Sequence, residues 1–110
     1  MENIIKACKF VMECLVNGDY ELLDKEGALI RVSEEDIKRI LNDYNPNDSI
    51  IIPPDDYYKK IYIIEYKDGS GYHVDIDLWF YDGQSDLTLQ LDIRKEENKL
   101  KVIIDDLHVL

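Results

Sequence analysis

The sequence predicts an α+β fold, with N-terminal helices packed on a curved four-stranded antiparallel meander. Two observations carry this. Apolar residues recur at spacings of three and four in the first third of the chain, the period of an amphipathic helix. From residue 60 onward the pattern turns to strict alternation broken by short turns, the period of half-buried strands. Helices first and strands second place the helices on one face of a single sheet.

Ile4, Ile5, Cys8, Val11, Met12, Leu15 and Val16 form the stripe of a first helix. Asn17-Gly18 ends it, with Gly18 suited to the left-handed C-terminal conformation. Asp19 then caps a short second helix, DYELLDKE, which stops at Gly27. Residues 28–32, ALIRV, read as a brief extended link. Ser33 opens a third helix as N-cap, with Asp36 in the place of the usual Glu of a capping box and three acids at the positive end of the helix dipole. Its buried stripe is Ile37, Ile40, Leu41 and Tyr44, and Asn45-Pro46 ends it.

Four strands follow, at 61–67, 72–81, 87–95 and 100–109, with a turn at Asp68-Gly69-Ser70-Gly71. The second strand sets Tyr72, Val74, Ile76, Leu78 and Phe80 on one face, and the third sets Leu87, Leu89, Leu91 and Ile93. These apolar sets must pair, because residues opposite each other share a face. A two-residue type II′ turn at Gly83-Gln84 would place Asp75 opposite Asp92, and a four-residue turn would place Asp77 opposite Asp92. Both predict two aspartates face to face, at a cost of about 0.2–1 kcal/mol that a binding role would justify. With Val102 and Ile104 in the core, Ile103, Asp105 and Leu107 point outward. The outer face then holds Trp79, Ile103 and Leu107 among Asp75, Asp77, Asp92 and Asp105, apolar anchors ringed by charge as on a protein-binding surface.

At 110 residues the chain suits one domain, 1–110, large enough to fold without metal or disulfide. Its formal net charge of −11 repels phosphate backbones and anionic membranes, and favours basic partners. Cys8 and Cys14 lie six apart on one helix and cannot bridge, so both are expected in or near the core as reduced thiols. Charges throughout MENIIKACKFVMECLVNG predict no export signal and a cytoplasmic protein.

His73 and His108 are the only histidines, and neither has metal-motif spacing. There is no phosphate loop, and Gly69-Ser70 lacks the rest of a nucleophile elbow. The adjacent pairs Asp55-Asp56 and Asp105-Asp106 form no carboxylate dyad if extended, since strand neighbours face opposite ways. The tyrosines at 57, 58, 62, 66, 72 and 81 suit a core or rim role. No cofactor, metal or catalytic site is predicted.

The segments DLWFYDGQSDLTLQLDI and IDDLHVL resemble a family of small bacterial domains of unknown function. The pattern is a Leu-Trp strand, here Leu78-Trp79, a Gly-x-Ser-Asp-Leu-Thr-Leu hairpin, here Gly83 to Leu89, and a terminal Ile-Asp-Asp-Leu-His-Val-Leu, here Ile104 to Leu110. LVNGDYELL, Leu15 to Leu23, resembles the same family's first helix junction. The likeness spans most of the chain and is most distinctive in the last third. That family is similar to the nuclear-transport-factor-type cone, which includes enzymes, small-ligand binders and immunity proteins of contact-dependent growth inhibition. The resemblance implies a cytoplasmic, non-enzymatic immunity protein that neutralises a basic bacterial toxin, with Asp75, Asp77, Asp92 and Asp105 for attraction and Trp79 and Tyr81 as anchors. The alternatives are a small-ligand-binding or weakly catalytic cone domain using His73, Asp75 or His108, and a homodimeric accessory domain with its contact across Trp79.

Overall fold

A computed structural model describes residues 2–110. Three α-helices come first: α1 (Glu2–Asn17), α2 (Tyr20–Lys25) and α3 (Glu34–Tyr44). A 3-10 turn, Asp55–Lys59, leads into β1 (Tyr62–Glu65), β2 (Gly71–Phe80), β3 (Gly83–Glu96) and β4 (Lys99–Val109). The sheet is antiparallel and open, in the order β1-β2-β3-β4. The fold class is therefore the α+β arrangement expected from the change of period.

The helix ends are where the local chemistry places them. Gly18 takes φ +70° after α1, and the next amide, of Asp19, donates to Cys14 O at 2.8 Å. Asp19 Oδ1 accepts from Leu22 N at 3.2 Å, and Ser33 Oγ accepts from Asp36 N at 3.1 Å. Cys8, Val11, Met12, Cys14 and Leu15 join Leu23, Ile37, Val74, Ile76, Leu78, Leu89, Leu91 and Ile104 in one hydrophobic cluster. Both cysteines are buried and free. Burial pushes the Cys8 thiol up to about 12. Tyr44 is more exposed than its stripe position suggested. It stacks on Phe80, with ring centroids 5.7 Å apart, and its hydroxyl donates to Asp86.

The β2–β3 register differs from expectation. The apolar sets do pair, as Ile76 with Leu89, Val74 with Leu91 and Tyr72 with Ile93. The turn, however, is Tyr81-Asp82, with Phe80 paired to Gly83, so β3 begins four residues earlier than the expected Leu87. Neither turn residue has positive φ, while Gly83 adopts φ +125°, a conformation that L residues resist. A bulge between the Asp77 and Trp79 pairs then absorbs the extra β3 residues. Ser85 closes it: its Oγ donates to Leu78 O at 2.6 Å and accepts from Leu87 N at 3.2 Å. This hydroxyl supplies bonds that the interrupted ladder leaves unmade. No periodicity argument could place it.

A second bulge interrupts β3–β4 between the Gln90 and Leu91 pairs, with Asp105 as the additional residue. It reverses the facing of everything after it. Leu107 was expected outward. It instead stands opposite Leu89 and is buried in the core, because the bulge spares a leucine from water. Asp106 and His108 take the outward positions. Ile103 does face outward, opposite Asp92, and is nevertheless buried.

Candidate functional site

The face of the sheet turned away from the helices carries the polar residues of the alternating strands. Register sets them in rows. One row runs Ile64, His73, Asp92, Ile103; the next runs Tyr62, Asp75, Gln90, Asp106; a third holds Asp77, Thr88 and His108. No two aspartates face each other across β2–β3. Asp75 is opposite Gln90, Asp77 opposite Thr88, and Asp92 opposite His73. The expected Asp75–Asp92 and Asp77–Asp92 pairings do not form, and the like-charge cost predicted for them does not arise. The reason is the earlier turn combined with the two extra β3 residues of the first bulge, a net register shift of two that brings a hydrogen-bond donor opposite Asp75 and Asp77.

The face divides into two ends of different electrostatics. At the first, Asp92 is 4% exposed and fully engaged. Arg31 Nη1 donates to its Oδ2 at 2.9 Å, Tyr66 OH donates to its Oδ1 at 2.8 Å, and Arg94 Nε lies 3.3 Å from Oδ2. Arg31 also holds Asp105 at 3.0 Å. Bonding to Asp92 and Asp105 raises the Arg31 pKa further. Burial, then the bond to Asp92, pushes the Tyr66 phenol up to about 12. Arg31 reaches this cluster because the preceding loop crosses the sheet edge, where Ala28 O accepts from Ile104 N at 2.9 Å.

At the second end the acids are held by side chains that include neutral amides and a hydroxyl. Asp75 Oδ1 accepts from Gln90 Nε2 at 3.0 Å and lies 2.7 Å from His73 Nε2. Asp77 accepts from Thr88 Oγ1 at 2.8 Å and from Gln84 Nε2 at 2.9 Å. Asp77 N donates to the hydroxyl of Tyr57 at 2.7 Å. No Lys or Arg pairs with either carboxylate among the described residues. His108 Nδ1 stands 3.0 Å from Asp106 Oδ2, close in distance but without hydrogen-bond alignment.

The two aromatic candidates behave differently. Trp79 is half-buried, edge-on to Tyr57 with centroids 5.5 Å apart. Its indole N–H is shielded from solvent and has no acceptor among the described residues. Tyr81, at the tip of the hairpin, is 86% exposed. Of the six predicted residues, the structure brings Asp75, Asp77 and Trp79 together along β2, gathers Asp92 and Asp105 on Arg31, and sets Tyr81 at the edge of the face.

Arg31, Tyr66, Gln84, Thr88 and Gln90 were not anticipated. The Thr88 and Gln90 of LTLQL were legible as outward residues, and a register two residues earlier would have matched them to Asp77 and Asp75. Arg31 left no signal, because its contacts are 61 and 74 residues away.

Elsewhere, a groove of about 680 Å³ runs between α1, the 3-10 turn and β1, with Ile5, Tyr58, Ile61 and Ile63 in its wall and neither histidine. Among the described residues no three His, Cys, Asp or Glu side chains are grouped to hold a metal, and no helix is long and apolar enough to cross a membrane.

A family model described as Domain of unknown function (DUF7668) matches residues 12–110, and the chain belongs to that family. No curated protein matches the chain, and no solved structure matches it.

Proposed function

We propose that this chain is a non-enzymatic binding protein of the immunity type, which neutralises a basic bacterial toxin with the acidic end of its helix-free sheet face. One observation carries the reading. Asp75 and Asp77 are aimed from one strand, about 6.6 Å apart along it, and fixed by Gln90, Thr88 and Gln84, with His73 beside Asp75 and no Lys or Arg on either among the described residues. Oriented carboxylates surrender little conformational freedom when a cationic partner arrives. They also add to the steering field of a chain whose formal net charge is −11. Trp79 and Tyr81 supply aromatic surface beside them. Asp92 and Asp105 move out of the contact set in this reading, since Arg31 already uses them.

The test is affinity capture from lysate of the source cells, washed at low and then high salt, with wild type and with Asp75→Asn/Asp77→Asn. The pair removes charge and keeps shape. Wild type should retain a stoichiometric basic toxin that salt weakens, and the double variant should associate with it about tenfold more slowly. Equal capture by both proteins at both salt concentrations would refute the acidic-face reading.

A further inference from the structure

We infer that the groove between α1, the 3-10 turn and β1 is a binding site for a small amine with an apolar body. It lies on the face of the sheet that packs on the helices, since its wall residue Ile63 is paired with Val74 of the core. Asp75 and Asp77 stand on the opposite face, so the two sites do not overlap. Ile5, Ile61 and Ile63 wall a space of about 680 Å³ and are half-buried around it. Small-molecule sites are apolar clefts of about 300–1,000 Å³ with a few placed polar groups.

Tyr58 completes the wall and brings such a polar group. The residue is 4% exposed, yet its hydroxyl meets no hydrogen-bond partner among the described residues. The neighbouring Tyr57 hydroxyl, by contrast, accepts from Asp77 N. The Tyr58 oxygen is not sealed in protein as the indole N–H of Trp79 is. It keeps an opening, and the groove is the space that Tyr58 lines. Burial is the chief cause that pushes its phenol up to about 12, so the hydroxyl stays neutral and is free to accept as well as to donate. A desolvated hydroxyl without a partner costs free energy that a ligand group recovers.

The rim selects the charge of that ligand group. It carries three carboxylates, Glu2, Asp55 and Asp56, and two ammonium groups, Lys9 and Lys59. Lys9 is committed to Asp55 at 3.5 Å and to the Tyr58 ring at 5.2 Å, and Lys59 to Asp56 at 3.9 Å. Glu2 is in no ion pair among the described residues, so the uncommitted charge is negative. The formal net charge of −11 on the whole chain adds a field of the same sign. An alkylammonium answers all three features. Its chain lies against the isoleucines, its N–H donors meet the Tyr58 oxygen, and its charge stands beside Glu2. An apolar acid would meet like charge instead.

Heteronuclear NMR of the full chain titrated with hexylammonium tests the inference, with hexanoate as the probe of similar body and opposite charge. Hexylammonium should cause saturable shifts confined to Ile5, Tyr58, Ile61, Ile63 and their neighbours, with a Kd of about 1 mM, the scale of so small a ligand. Hexanoate should bind at least about fivefold more weakly. Tyr58→Phe keeps the ring and should weaken hexylammonium about tenfold. The same variant should unfold at no lower urea concentration than wild type, because the hydroxyl has no partner to lose. A hydroxyl that merely held the fold together would reverse that result. Glu2→Gln, at an exposed position, should weaken hexylammonium about threefold and keeps the test decisive if Tyr58→Phe fails to fold. No saturable shift at the groove up to about 10 mM hexylammonium, equal binding of hexanoate, or unchanged affinity in the folded variants overturns the inference.

Discussion

Replacing Asp92 by alanine should be among the most damaging changes of a charged residue in this protein. The substitution removes two charge-assisted hydrogen bonds, from Arg31 at 2.9 Å and from Tyr66 at 2.8 Å, at a site 4% exposed. Bonds of this kind contribute about 1.5–3 kcal/mol each, so the gross loss is about 3–6 kcal/mol. Solvent returns part of it. Arg31 is more than a third exposed and keeps Asp105, so its guanidinium rehydrates. A net loss of about 2–3 kcal/mol remains, equivalent to a fall in Tm of about 10 °C for a domain of this size. Urea unfolding followed by circular dichroism measures it. Asp75→Ala is the reference, because its donors are partly wet, and should cost less than about 1 kcal/mol. Arg31→Ala should cost about 1–2 kcal/mol, and the double variant should be less destabilised than the sum. An Asp92→Ala loss no larger than that of Asp75→Ala would show that the Arg31–Asp92–Tyr66 cluster stabilises nothing.

Ser85→Ala removes both bonds that close the β2–β3 bulge and should cost about 1–2 kcal/mol in the same unfolding assay, against a few tenths for a surface serine. Thiol labelling at pH 8 should find Cys8 protected, with reactivity about a thousandfold below that of the urea-unfolded chain, since a thiol pushed up to about 12 carries little thiolate; rapid labelling of native protein at Cys8 would contradict its burial. Tyr58 and Tyr66 are both pushed up to about 12, chiefly by burial, whereas an unfolded tyrosine ionises near 10. A raised phenol pKa favours the folded state fully below about pH 10, and that stability is lost as pH rises towards 12. The urea midpoint should therefore fall across that window, and a spectrophotometric titration in which all eight tyrosines ionise together near 10 in the folded protein would refute it.

The sequence by itself determined everything that depends on period and on local caps. The helix stripes, the Ser33 and Asp19 caps, the Gly18 stop, the four antiparallel strands and the pairing of apolar with apolar faces all follow from spacing, because one face of each element must leave water. The outward placement of Asp75, Asp77, Trp79 and Asp92 follows from the same alternation. Only the tertiary structure decided what stands opposite what. A register shift of two residues preserves the faces of a strand, so apolar periodicity cannot distinguish the expected hairpin from the observed one, with its turn at Tyr81-Asp82 and its bulge, yet the shift changes the neighbour of Asp75 from an aspartate to a glutamine. A bulge of one residue at Asp105 reverses the faces after it and sends Leu107 inward. Arg31 meets Asp92 and Asp105 across more than sixty residues of chain. Such contacts answer the hydrogen-bonding needs of groups brought together by folding, and no local pattern records them.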